Sequence, residues 1–234
     1  MVAFVPDTLL MTTQGALEHS PTCKAIQEKG LLDQLRSRVV VPLAVYLMEQ
    51  RRDPESHWAS YFAAMNPDLS NHLIFWTEEE LEWLKGSEII GYNNQLKRKI
   101  NGDYQLLSEN IPGFAEQFSE RDFQEAYKTV ESKLFVIRDD DGRLVAEALV
   151  PFGDMIPRKN PSSVEYRWGS NGGKDGVVFS ASKDIAQGEQ VTTARGSRTN
   201  FQLLSTYGVV EPVNVNKQPV FLRHFAVLPD DPLA

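Results

Sequence analysis

The sequence predicts an α+β fold in which a β-rich core is interrupted by an all-helical block. Hydrophobic residues pass from alternating to helical spacing near residue 21 and return to alternation near Lys133. In addition, Asp141-Gly142 sits between two apolar runs in residues 133–152, a strong hairpin signature.

Residues 1 to about 16 read as short β structure, with Val5-Pro6 at a bend and a strand near 5–13. From about Pro21 to Tyr127 the spacing is helical. The longest apolar run, Val39 to Met48, holds Pro42 and is too short to span a bilayer, so it reads as a buried helix. Trp58, Tyr61 and Phe62 fall at i, i+3, i+4 within Ser56 to Met65. Thr77 followed by Glu80 forms a capping box, and Gly86 stops that helix. Phe114 to Val130 holds one or two more helices, with Ser119 as the N-cap candidate. Beyond Lys133 the expected strands lie at 133–151, 176–182 and 190–195, with a turn at Gln187-Gly188. Phe201 to Thr206 reads as a short helical turn and Val220 to Val227 as a last strand. The divisions are 1–20 and 131–212 for the two parts of the core, 21–130 for the helices, and 213–234 for a strand and tail.

With 234 residues the chain can bury a sizeable core. Its net charge of −8 argues against a partner of duplex nucleic acid, which selects a basic face. The single cysteine, Cys23, excludes an internal disulfide, and four scattered histidines give no metal-ligand spacing. The N-terminus lacks a basic segment followed by an apolar core, so a secretory signal is not expected. The expectation is a soluble intracellular protein, with plastid stroma and cytoplasm both open.

Four stretches carry a resemblance. They are SHWASYFAAMNP (56–67), FWTEEELEWLKGS (75–87), LVPFGDMIPRKNP (149–161) and KDIAQGEQVTTARGSRTNFQLLSTYGVV (183–210). In order and spacing they are similar to segments of the SET-domain protein methyltransferases. The similar branch contains the plant Rubisco large-subunit lysine methyltransferase and the actin-histidine methyltransferase. The resemblance implies a β-rich SET core with the helical block inserted, S-adenosylmethionine as cofactor if the chain is active, and a protein substrate or partner.

It also implies a set of site residues. Asp154 matches the aspartate of the family's Asp-Met-x-Asn-His segment, but Pro157-Arg158 replaces Asn-His. Lys133 stands where an arginine pairs with the cofactor carboxylate. Tyr207 matches the second pocket tyrosine, and Asn200 and Gly196 match as well. Arg195 falls at the catalytic tyrosine, and a guanidinium is charged at any working pH and cannot act as a base. Asp154 and Tyr207 are the expected substrate-side residues, with Lys133, Asp154, Pro157 and Arg158 on the cofactor side. No Gly-x-Gly, which cradles the cofactor in the family, occurs in the chain. The family's C-terminal helical domain is also not expected.

Two functions remain open on this reading. The first is a catalytically degenerate SET protein that binds partners as a subunit of a larger assembly. The second is an active S-adenosylmethionine-dependent protein lysine methyltransferase with an unusual pocket. The degenerate form predicts that Arg195 pairs with a carboxylate, Asp154 or Glu189 within the chain, and that Arg158 fills part of the pocket.

Overall fold

The computed structural model describes residues 1–65 and 68–216. Its strands are β1 (Ala3–Pro6), β2 (Met11–Thr12), β3 (Phe135–Arg138), β4 (Leu144–Leu149), β5 (Val164–Asn171) and β6 (Lys174–Ala181). They form two antiparallel three-stranded sheets, ordered β1-β6-β5 and β2-β4-β3. In both, a strand from the first 12 residues pairs with one from beyond residue 143, so the chain's two ends close the core together. Val5, Phe135, Ile137, Val150, Val177 and Phe179 fill one cluster shared by the two sheets, where the Phe135 ring meets Tyr166 edge-on at 4.7 Å.

Between β2 and β3 lie eight helices among the described residues: α1 (Thr13–His19), α2 (Pro21–Glu28), α3 (Val40–Arg52), α4 (Ala59–Ala64), α5 (Glu78–Glu82), α6 (Glu88–Asn110), α7 (Phe114–Gln117) and α8 (Glu120–Lys133). A ninth, α9 (Asn200–Tyr207), follows the sheets. Helix α3 is buried from Val40 to Met48 on every side, so it serves as the axis of the second core and α8 packs along it. The capping boxes at Thr77 and Ser119 form as the sequence predicts, and Thr199 makes a third at the start of α9.

Several expectations need correction. Residues 13–16 are helical, because the Thr12 hydroxyl accepts from the Gly15 N–H and caps α1. Residues 190–195 form no strand; Thr193 makes one parallel bridge with Arg158, and the Thr192 carbonyl accepts from the N–H groups of Ser163 and Val164. The strand expected at 176–182 is β6, while its hairpin partner β5 and the 23-residue helix α6 are not among the expected elements. Gly172 and Gly173 turn that hairpin, both with positive φ, the backbone of the tight turn that suits twisted strands. The strand expected at Val220 to Val227 lies outside the described residues. Among the described residues no helix is long and apolar enough to cross a membrane.

Candidate ligand-binding cavity

A cavity of about 290 Å³ opens where α8, α9, the turn 152–158 and the loop 68–72 meet. All six site residues expected from the sequence line it: Lys133, Asp154, Pro157, Arg158, Arg195 and Tyr207. Lys133 is the last residue of α8, a helix begun by the Ser119 capping box. Tyr207 ends α9, where Gly208 turns left-handed at φ 66. A side chain on Gly208 would also meet the Asn71 carbonyl oxygen at 2.7 Å, so glycine is what lets α9 seat against the 68–72 loop.

Asp154 stands on a short 3-10 turn, Gly153–Met155. A Cβ on Gly153 would lie 2.5 Å from the Phe179 ring, so only glycine lets this turn press onto the sheet core. The Asp154 side chain is fully buried. Its Oδ2 accepts from the Tyr61 hydroxyl at 2.6 Å and lies 3.6 Å from Lys133 Nζ, while Oδ1 is buried without a partner. Burial pushes the carboxyl upward, and Lys133, then Tyr61, pull it part of the way back. Tyr61 was read in the sequence as a helix-face aromatic, yet it is a site residue, and burial beside Asp154 raises its phenol. The other addition is His72, buried in the cavity wall with an unpartnered Nδ1. Burial and Lys128 push its pKa down to about 4, so the ring is neutral near pH 7.

Phe152, which precedes this turn, is exposed at φ 69, a backbone region that disfavours branched and bulky side chains. Phe152→Gly is therefore expected to stabilise the fold by about 1 kcal/mol, because strain of that size is released and no core contact is lost. Urea denaturation of the two chains measures it, and a less stable glycine variant would show that the aromatic ring packs more tightly than its exposure indicates.

Arg195 does not meet Asp154 or Glu189. Its Nε lies 3.7 Å from Glu211 and donates to the Arg158 carbonyl, while Glu189 is taken by Lys183 at 2.6 Å. The reason is a clamp on Asn200, which donates to the Glu211 carbonyl at 2.8 Å and accepts from its N–H at 3.0 Å. That brings a residue 16 positions further on beside Arg195. Pro157 has no N–H to donate, and its carbonyl accepts from the Thr193 N–H at 2.9 Å. Arg158 reaches across the cavity as expected. Its guanidinium lies 4.9 Å from the Phe135 ring centre and 5.7 Å from that of Tyr207, and Arg198 lies 5.3 Å from Tyr207.

No family model matches the chain. Among curated proteins, the chloroplastic [fructose-bisphosphate aldolase]-lysine N-methyltransferase of Arabidopsis thaliana is 26% identical over 73% of this chain and 37% of its own length. The actin-histidine N-methyltransferase of Xenopus tropicalis is 26% identical over 86% of this chain and 34% of its own. The solved SET domain of LSMT bound to methyllysine and AdoHcy superposes with a TM-score of 0.72 at 22% identity, over 90% of this chain and 47% of that one. This chain has a SET-domain fold, and its relatives are protein methyltransferases. Rubisco LSMT bound to AdoMet gives the same fold at a TM-score of 0.67, with 23% identity over 89% of this chain and 46% of that one. The chain spans about a third of the length of the curated relatives it matches. Within its fold, Asp154 and Tyr207 share one cavity with three cations, Lys133, Arg158 and Arg195.

Proposed function

We propose that this chain is a SET-fold protein that no longer transfers methyl groups by the family's tyrosine route and acts by binding a protein partner, as a subunit of a larger assembly. The observation that carries this reading is Arg195, which stands at the family's tyrosine position and is held by Glu211 and the Arg158 carbonyl. A hydroxyl that could orient an amine is missing there, and a permanent cation replaces it.

The cavity suits one end of S-adenosylmethionine and opposes the other. Lys133 and the unpartnered Asp154 Oδ1 fit an amino acid's carboxylate and amine. The methyl-bearing sulfonium would share the cavity with Arg158, whose guanidinium lies against Tyr207. A sulfonium about 5 Å from one guanidinium costs about 3 kcal/mol at an effective dielectric near 20. Because that charge leaves sulfur as the methyl moves, the cost would fall on cofactor binding, by roughly two decades in affinity. When bound, the cofactor would supply an electrophilic methyl; this chain's own residues hold positive charge around the cavity and put a guanidinium, which is no base, where the family has its tyrosine hydroxyl.

The alternative, an active lysine methyltransferase, is favoured by the retained Asp154 and Tyr207 and by the Lys133–Asp154–Tyr61 cluster. Calorimetric titration with S-adenosylmethionine, paired with tritiated methyl incorporation into a cell lysate, separates the two. No labelling above a heat-treated control is expected. Robust labelling by the unmodified chain, lost on Tyr207→Phe, would make it an enzyme.

A further inference from the structure

The charges around Tyr207 do not balance. Lys133 is matched by Asp154 at 3.6 Å and Arg195 by Glu211 at 3.7 Å. Arg158 and Arg198 make no ion pair within 4 Å among the described residues, and Asp154, already paired with Lys133, meets Arg158 only at longer range. Arg158 Nη2 donates to the carbonyls of Lys133 and Leu134 at 3.3 and 3.2 Å, and Arg198 Nε to that of Arg195 at 3.2 Å. Carbonyls and ring faces orient these guanidiniums without neutralising them. A second hollow of about 530 Å³ shares Pro157, Arg158 and Arg195 with the first and adds Lys159, whose ammonium has no acidic partner among the described residues. Its far wall includes Pro212 and Val213, and Val213 is 88% exposed. The one carboxylate at the rim of the first cavity, Asp68, points to solvent and accepts from the Ser70 N–H. An excess of positive charge beside exposed apolar residues is thus concentrated in one place on a chain whose net charge is −8.

We propose that these joined hollows are a docking groove for an acidic peptide segment of a partner protein. A glutamate or aspartate carboxylate of that segment reaches Arg158 and Arg198 beside Tyr207, and its apolar neighbours cover Pro212 and Val213. Guanidiniums already oriented by carbonyls lose little freedom on meeting a carboxylate, and planar forks match it two bonds at a time. Apolar contact then adds what surface charge pairs alone do not give. The same charges that oppose a sulfonium favour this ligand. The inference rests on the non-catalytic reading and names the chemistry of the partner.

The test is fluorescence anisotropy with the full chain and two fluorescein-labelled hexapeptides. One is Val-Pro-Glu-Asp-Val-Ala; the other has the two acids as amides, Val-Pro-Gln-Asn-Val-Ala. The acidic peptide is expected to saturate below about 1 mM and to bind roughly tenfold more tightly than the amide form. Arg198→Gln is expected to weaken it by about tenfold, and raising salt to about 0.5 M to weaken it severalfold. Arg158 also packs on Phe135, so Arg158→Lys, which keeps the charge and loses the fork, stands in for its removal, with thermal unfolding as the folding control. A fork-dependent site loses affinity in that variant too. Equal affinity for both peptides, no saturation by the acidic one, or indifference to both substitutions in folded protein overturns the docking groove. If the acidic peptide fails and no methyl transfer is found, this inference falls alone. If methyl labelling is found and S-adenosylmethionine displaces the peptide, the non-catalytic reading falls with it.

Discussion

Lys133→Met is expected to destabilise the protein by about 3 kcal/mol at pH 8, since it leaves the Asp154 carboxylate buried without its cation. The loss should shrink on acidification. Burial holds the folded Asp154 carboxyl above its ordinary 3.8, so the folded state binds that proton more tightly than the unfolded state does. The favourable contribution is therefore complete below 3.8 and disappears as pH rises through the folded value. Removing Lys133, the main influence drawing that value down, moves it further up and widens this window towards neutral pH. Urea unfolding at pH 8 and pH 5 should show a smaller deficit at the lower pH. Asp154→Asn in the same background should recover most of the loss at pH 8, because the pair and not the lysine alone is at issue. A deficit equal at both pH values would mean that Lys133 acts through its aliphatic stem.

The second large effect belongs to His72 and has the opposite sign. Its folded pKa of about 4 lies below the ordinary 6.5, so the neutral ring is favoured in the fold. That contribution is complete above pH 6.5 and is lost as pH falls towards 4. At 1.36 kcal/mol per pKa unit it is worth about 3 kcal/mol. The groups that bear on it are Lys128 from α8, which disfavours the imidazolium, and Asp68 from its own loop, which favours it more weakly. His72→Asn should remove the loss between pH 6.5 and 4.5. The remaining slope should reverse, because Asp103 and Asp154, both shifted upward by burial, gain as pH falls. A proton-detected titration placing the His72 midpoint near 6.5 would show that water reaches the ring and that this device is absent.

How much of this was legible depends on the range over which each interaction acts. The capping boxes at Thr77 and Ser119, the turn at Asp141-Gly142 and the buried run Val40 to Met48 are local, set within a few residues, and they appear where the sequence put them. Helix α6 was missed because its buried residues, Ile89, Leu96, Ile100 and Leu107, are spread among polar ones and leave a thin apolar stripe. Strand β5 carries a sequence signal in Asn171-Gly172 and in the alternation of Val164, Tyr166 and Trp168. Residues 190–195 show the reverse error. Their β-branched residues suit a strand, but Thr192 meets only Ser163 and the first residue of β5, Val164, while Thr193 meets Pro157 and Lys159, so the contacts are too short and too divided to form a ladder.

The site divides in the same way. The four matched stretches place Asp154, Pro157, Arg158, Arg195 and Tyr207, Lys133 comes from the separate match around Ser132-Lys133-Leu134-Phe135, and the fold brings all six to one cavity. Tyr61 lay within the matched Ser-x-Trp-x-x-Tyr segment, so its signal was present. His72 carried none, because a lone histidine gains meaning only from what packs around it. Glu211 as the partner of Arg195 follows from the Asn200 clamp, and no spacing rule links positions 195 and 211.

One buried cation gives the cavity a property of its own. Lys128 has no exposed surface, and its ammonium joins Glu131 on its own helix to the Ser205 carbonyl of α9. Lys133 lies five residues along α8 from this rivet, and Tyr207 two residues along α9. The two walls are therefore fastened at their base and cannot hinge apart without exposing a buried charge. A ligand entering here meets a jaw of fixed gape and must present the right shape from the outset. Amide hydrogens on α8 and α9 near this fastening should then exchange with solvent together, at one rate, whether or not the cavity is filled.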